Sequence, residues 1–129
     1  MLLKPPLQIP TQITALHLAA FFKSSVPVVR ALLEAGSDPN KRDGRYGWSA
    51  LHLAAACNPQ IIPTLLQHGA QVNLFDNYNE SPLFRAAYHN KKDAVFQLLN
   101  AGADPRLGDS PLTDSDAAKD MREFIKKYL

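Results

Sequence analysis

Ser-Ala-Leu-His-Leu-Ala-Ala, residues 49–55, decides how the rest of the chain is read, because near copies of it stand on either side. Thr-Ala-Leu-His-Leu-Ala-Ala occupies 14–20 and Ser-Pro-Leu-Phe-Arg-Ala-Ala occupies 81–87. A second apolar cluster follows each copy and closes on glycine. The clusters are Val28, Val29, Leu32, Leu33, Gly36; then Ile61, Ile62, Leu65, Leu66, Gly69; then Ala94, Val95, Leu98, Leu99, Gly102. The glycines fall 33 residues apart each time, which makes this a chain of repeats.

Each unit has a physical logic. The leading Thr or Ser supplies an oxygen that accepts from a free backbone N–H in the first turn of a helix. Pro82 and Pro111 follow such a residue at the first helical position, where a missing N–H costs nothing. Leu and the paired Ala then predict a short helix with a small-residue face. The second cluster recurs at i, i+1, i+4 and i+5, one stripe of a second helix. Gly36, Gly69 and Gly102 suit the left-handed position that ends it. Polar runs such as Ser-Asp-Pro-Asn and Ala-Gln-Val-Asn follow and favour a projecting β-turn.

Taken together, these residues resemble the ankyrin repeat. The resemblance implies an all-α solenoid of antiparallel helix pairs with projecting β-turn fingers. It implies a single domain over 1–129: an extension at 1–10, repeats at about 11–43, 44–76 and 77–109, and a capping repeat at 110–129. It also implies a concave face that grips partner proteins, in adaptors, longer scaffolds, inhibitors and bacterial effectors that act on host proteins.

The copies are not identical. From the first paired Ala to Gly is 17 residues in repeat 1, 15 in repeat 2 and 16 in repeat 3. One residue is therefore extra near Lys23–Pro27 and one is missing near Cys57–Gln60, so both links should be irregular. The first finger should be one residue longer than the second. At the C-terminus Ala117, Met121, Phe124, Ile125 and Tyr128 form an apolar stripe, with Arg122, Glu123, Lys126 and Lys127 on the solvated side. At the N-terminus Leu2, Leu3, Leu7 and Ile9 are expected to fold over repeat 1.

A net charge of +2 is too small to call for nucleic acid or a membrane surface. Aromatics interleaved with basic residues leave single-stranded nucleic acid as a lesser alternative. Cys57 is the single cysteine, so no internal disulfide forms. The apolar start is too short for a signal peptide and no stretch spans a membrane, so the expected location is cytoplasmic and the expected state monomeric.

His17 and His52 stand at the histidine of the motif, which in the family ties neighbouring repeats together; Phe84 replaces it in repeat 3. Cys57 and His89 both follow the paired alanines, but a repeat spacing of about 10 Å puts a Cys–His pair beyond hydrogen-bond reach. We therefore expect no catalytic residue, no metal and no cofactor.

The positions without framework duty in such an array are finger tips, the residue before each cap and the two after each alanine pair. The expected partner-binding residues are Phe22, Arg42, Arg45, Tyr46, Trp48, Phe75, Asn77, Tyr78, Glu80, Arg85, Tyr88 and His89. With Phe21 they hold seven of the eleven aromatic residues, and rings with Arg carry most interface energy. Lys41, Arg42, Arg45 and Arg85 make the strip positive, which suits a partner with an acidic or phosphorylated segment. Truncating Trp48 or Tyr78 is expected to weaken binding with the framework intact.

Overall fold

A computed structural model describes residues 12–104, together with Glu123 and Lys126. Within 12–104 lie six α-helices in three pairs and no strand. The pairs are α1 (Ala15–Phe21) with α2 (Val26–Glu34), α3 (Ala50–Cys57) with α4 (Ile62–Gln67), and α5 (Pro82–Tyr88) with α6 (Lys92–Asn100). Helices α1, α3 and α5 stack side by side with α3 in the middle, and α2, α4 and α6 form a layer behind them. The helices begin where the hydroxyls are: Thr14, Ser49 and Ser81 each accept from the backbone N–H three residues on. Pro82 is the first residue of α5.

The small-residue face lets this stack close. Ala19, Ala20, Ala54, Ala55, Ala86 and Ala87 are all buried, with Leu16, Leu51 and Leu83 beside them. From the second layer come Val29 and Leu33, Ile61, Ile62 and Leu65, and Ala94, Val95 and Leu98. Val28 is exposed although its counterparts Ile61 and Ala94 are buried, since no described element packs on that side of repeat 1. Gly36, Gly69 and Gly102 end α2, α4 and α6 at φ between +90° and +103°, a conformation that strains any residue with a Cβ. The next N–H in each case (Ser37, Ala70, Ala103) returns to the carbonyl five residues back and closes the helix.

Both odd links sit where the spacing put them. In repeat 3 the chain passes from α5 to α6 through His89–Lys91, with Asn90 left-handed at φ +56°. Repeat 1 makes the same turn at Lys23, φ +58°, and then needs one more residue before α2. Repeat 2 has only Asn58, followed by one turn of 3-10 helix at Pro59–Ile61. A 3-10 turn rises about 2.0 Å per residue against 1.5 Å in an α-helix, so fewer residues cover the gap. Asn58 is buried, and its amide donates to the carbonyl of Ser24 in the neighbouring link at 3.0 Å.

Successive repeats are joined by side chains that reach main chain. Asn40 donates to the carbonyl of Gly69 at 2.9 Å and accepts from the N–H of Gln71 at 2.7 Å. Asn73 repeats this with Gly102 and Asp104 at 3.4 and 2.9 Å. The N-terminal leucines, Pro111 and the C-terminal apolar stripe lie outside the described residues; Glu123 and Lys126 are helical and exposed.

Candidate functional site

Two aspartates build the fingers. Asp43 Oδ1 accepts from the N–H groups of Arg45, Tyr46 and Gly47, at 3.1, 2.7 and 2.9 Å. Asp76 Oδ1 does the same for Tyr78 and Glu80, each at 2.9 Å. Each finger closes on a backbone bond, from Asp43 N–H to the Trp48 carbonyl and from Asp76 N–H to the Glu80 carbonyl, both at 2.9 Å. Four residues separate the closing pair in the first finger and three in the second, as the spacing predicted. Both aspartates lie seven residues after a helix-ending glycine, a periodic signal that reading for rings and charges overlooked.

The motif histidines hold these fingers from behind. His17 Nδ1 accepts from the N–H and hydroxyl of Thr14, which leaves Nε2–H to donate to the Trp48 carbonyl at 2.9 Å. His52 does the same between Ser49 and the Glu80 carbonyl. Burial pushes the His52 imidazole down to about 4; the Glu80 carbonyl and Asp76 oppose that, while Arg85 and Arg42 add to it. The unfolded chain therefore takes up this proton first. Its contribution to stability is full above pH 6.5 and is lost as pH falls towards 4, on the order of 3 kcal/mol in all. Urea midpoints measured between pH 7 and pH 4 should fall more steeply for wild type than for His52→Phe. Parallel curves would assign the acid sensitivity elsewhere.

A stack of rings crosses the two fingers. Tyr46 lies on Trp48 at 4.4 Å between centroids and near Tyr78 at 6.2 Å. The other face of Trp48 is covered by the Arg85 guanidinium at 4.9 Å, and its indole N–H donates to Asp76 Oδ2 at 3.0 Å. Arg85 also reaches towards Tyr88 at 5.9 Å and pairs with Glu80 at 3.2 Å. Arg45 sits over Tyr46 at 5.0 Å, and Tyr88 meets His89 edge to face at 5.2 Å. Burial lowers the His89 pKa, with Arg85 and Lys91 pressing the same way. Arg42 donates to the Gly47 carbonyl and to Asn77 Oδ1, both at 3.2 Å, and the Asn77 N–H donates to the Tyr46 carbonyl at 2.9 Å.

This arrangement corrects three expectations. Glu80, placed among the partner-binding residues, is only 1% exposed: its carbonyl holds His52 and its carboxylate holds Arg85. Arg85 was expected to lend the strip free positive charge, but that charge is spent on Glu80. Trp48 is half-buried between Tyr46 and Arg85, so its truncation would disturb the fingers and not binding alone. Phe21, Phe22, Phe75, Tyr78 and Tyr88 are exposed, with Phe22 the most at 69%. Arg42, Arg45, Asn77 and His89 are exposed too. Phe75 joins no ring contact among the described residues.

Two adjoining hollows run along this strip. The first, about 350 Å³, lies between α1 and the first finger and is lined by Ile13, Leu18, Phe21, Phe22, Asp43, Tyr46 and Trp48 among others. The second, about 210 Å³, shares Phe21, Trp48 and Leu53 with it and continues to Cys57, Arg85 and His89. Cys57 and His89 border one hollow, yet no hydrogen bond joins them. Among the described residues no three His, Cys, Asp or Glu side chains gather as metal ligands, and no helix is long and apolar enough to cross a membrane.

The family model for ankyrin repeats matches residues 16–109 in three copies. The chain belongs to the ankyrin-repeat family. Ankyrin repeats are in general protein–protein interaction modules, which agrees with fingers and hollows on one side of a rigid helical array. The chain is 33% identical over 123 residues to the E3 ubiquitin-protein ligase KEG of Arabidopsis thaliana, covering 87% of itself and 8% of that protein. It is 34% identical over 110 residues to the transient receptor potential channel pyrexia of Drosophila melanogaster, covering 81% of itself and 11% of the channel. With the cyclin-dependent kinase 4 inhibitor B of Mus musculus it shares 35% over 82 residues, covering 63% of itself and 62% of the inhibitor. The chain thus spans about a tenth of the first two of these ankyrin proteins and under two thirds of the third.

Proposed function

We propose that this ankyrin array is a non-catalytic adaptor or inhibitor module, acting in the cytoplasm, that binds a protein partner along the strip from Phe21 and Phe22 to Tyr78 and Tyr88. The observation that carries this reading is the pair of continuous hollows edged by exposed rings. Apolar ring surface of this extent on one side of a rigid array gains by being covered. The framework beneath is tied together by buried hydrogen bonds, so docking needs little rearrangement. Arg45 and Lys41, both exposed, favour an acidic segment on the partner beside the first finger.

Tyr78 and Tyr88 are better probes than Trp48, because their rings are exposed and take no hydrogen bond from the framework. Tyr78→Ala with Tyr88→Ala should leave the urea midpoint nearly unchanged and weaken the partner by ~2 kcal/mol or more. The check is affinity capture with wild type and the double variant side by side, followed by titration of any protein that only wild type retains. If both proteins hold the same partners equally well, the docking surface lies on another face.

A further inference from the structure

We propose that the hollow ahead of the first finger receives an indole side chain of the partner, whose N–H is donated to Asp43. This rests on the strip being the docking surface, and it adds what the partner must bring there.

The inference comes from comparing the same place in two successive repeats. Trp48 stands just before the cap residue Ser49, and Ile13 stands just before the cap residue Thr14. From its position Trp48 reaches the finger that follows, where its indole N–H meets Asp76 Oδ2 at 3.0 Å. One repeat earlier the finger aspartate is Asp43, with Oδ1 engaged by three backbone N–H groups where its counterpart holds two. Nothing donates to its Oδ2 among the described residues. Ile13, shorter and without a donor, leaves the 350 Å³ hollow where the array's own indole lies one repeat on.

The surroundings select a neutral donor on a flat apolar body. Leu53 lines the hollow at the register position that Arg85 fills over Trp48, so an apolar wall replaces a cation. Leu18 and Phe22 extend that wall. Of the other polar lining residues, His17 already donates to the Trp48 carbonyl and the Trp48 indole N–H to Asp76. Asp43, with Oδ2 open, is the anionic acceptor among the lining residues for an incoming N–H. Arg45 at the rim carries positive charge and disfavours a guanidinium or ammonium in the same place.

The test is a proton–nitrogen NMR titration of the full chain with indole, 1-methylindole, 4-methylphenol and ethylguanidinium. Indole should shift the amides of Leu18 and of the finger from Asp43 to Trp48. 1-Methylindole, which has no N–H, should bind about 10-fold more weakly. Asp43→Asn keeps Oδ1 for the finger and puts an amide where Oδ2 was, so the two indoles should then bind alike. Leu18→Ala, a half-exposed wall residue, should weaken indole with the finger intact and serves if Asp43→Asn fails to fold. Equal affinity of the two indoles for wild type, shifts confined to another region, or tighter binding of 4-methylphenol or ethylguanidinium would each overturn the assignment. Loss of partner in the Tyr78/Tyr88 variant alongside a failed indole titration leaves the docking strip standing and removes only this hollow's role.

Discussion

Phe84→Ala should cost this protein about 3–5 kcal/mol, the cost expected when a fully buried ring is truncated. Phe84 is at 0% exposure on α5, at the position where α1 and α3 carry His17 and His52. Those histidines are held by hydrogen bonds at both ring nitrogens, whereas Phe84 has only shape and apolar area to contribute. Its ring lies nearly parallel to Tyr88, 6.3 Å away, beneath the exposed end of the strip. The alanines around it sit on helices already in close contact and have little freedom to collapse into the gap. Equilibrium urea unfolding is the measurement, with Phe84→His as control. Histidine nearly fills the space and can accept from Ser81 as His52 does from Ser49, so it should lose much less. A loss below about 1 kcal/mol for Phe84→Ala would mean that this ring is not part of the packed framework.

Arg85→Ala should be nearly as costly, about 3 kcal/mol, for an electrostatic reason. Glu80 is buried, and the guanidinium at 3.2 Å is the cation beside its carboxylate. Removing the cation leaves a buried carboxylate to bear its desolvation with less compensation, which costs far more than the pair itself contributes. The control is Glu80→Gln combined with Arg85→Leu, which removes both charges and puts an apolar side chain at the Leu53 position of repeat 3. The double variant should regain most of the loss. The same substitution uncovers one face of Trp48, the chain's single tryptophan, so its fluorescence should shift to the red on Arg85→Ala without unfolding. An additive double variant, or an unmoved emission maximum, would show that the pair and the stack are surface decoration.

These two residues also mark where the sequence was legible and where it was not. Helix pairs, hydroxyl caps, helix-ending glycines, the two uneven links and the longer first finger all follow from residues within a few positions of one another. Local chemistry recorded at a fixed period can be read directly. Glu80 and Arg85 sit five apart, but their pairing needs Glu80 to turn inward, and that depends on Asp76 gathering the N–H groups of its finger. Trp48 meets Asp76 across 28 positions, a contact that only the stacking of repeats creates. Residue type and position therefore named the candidate rings, while the division between rings that hold the fingers and rings that face outward came from tertiary neighbours.

The bonds from Asn40, Asn73, His17 and His52 all run from a side chain in one unit to peptide groups in the next. Peptide groups are the same in every unit, so the receiving unit needs no matching residue to be joined. Inserting a second copy of 44–76 between the existing units would present the same carbonyls and N–H groups at both new seams. Such a duplication should lengthen the array without redesign, and the surface residues of the added unit are then free to vary independently of how it is attached.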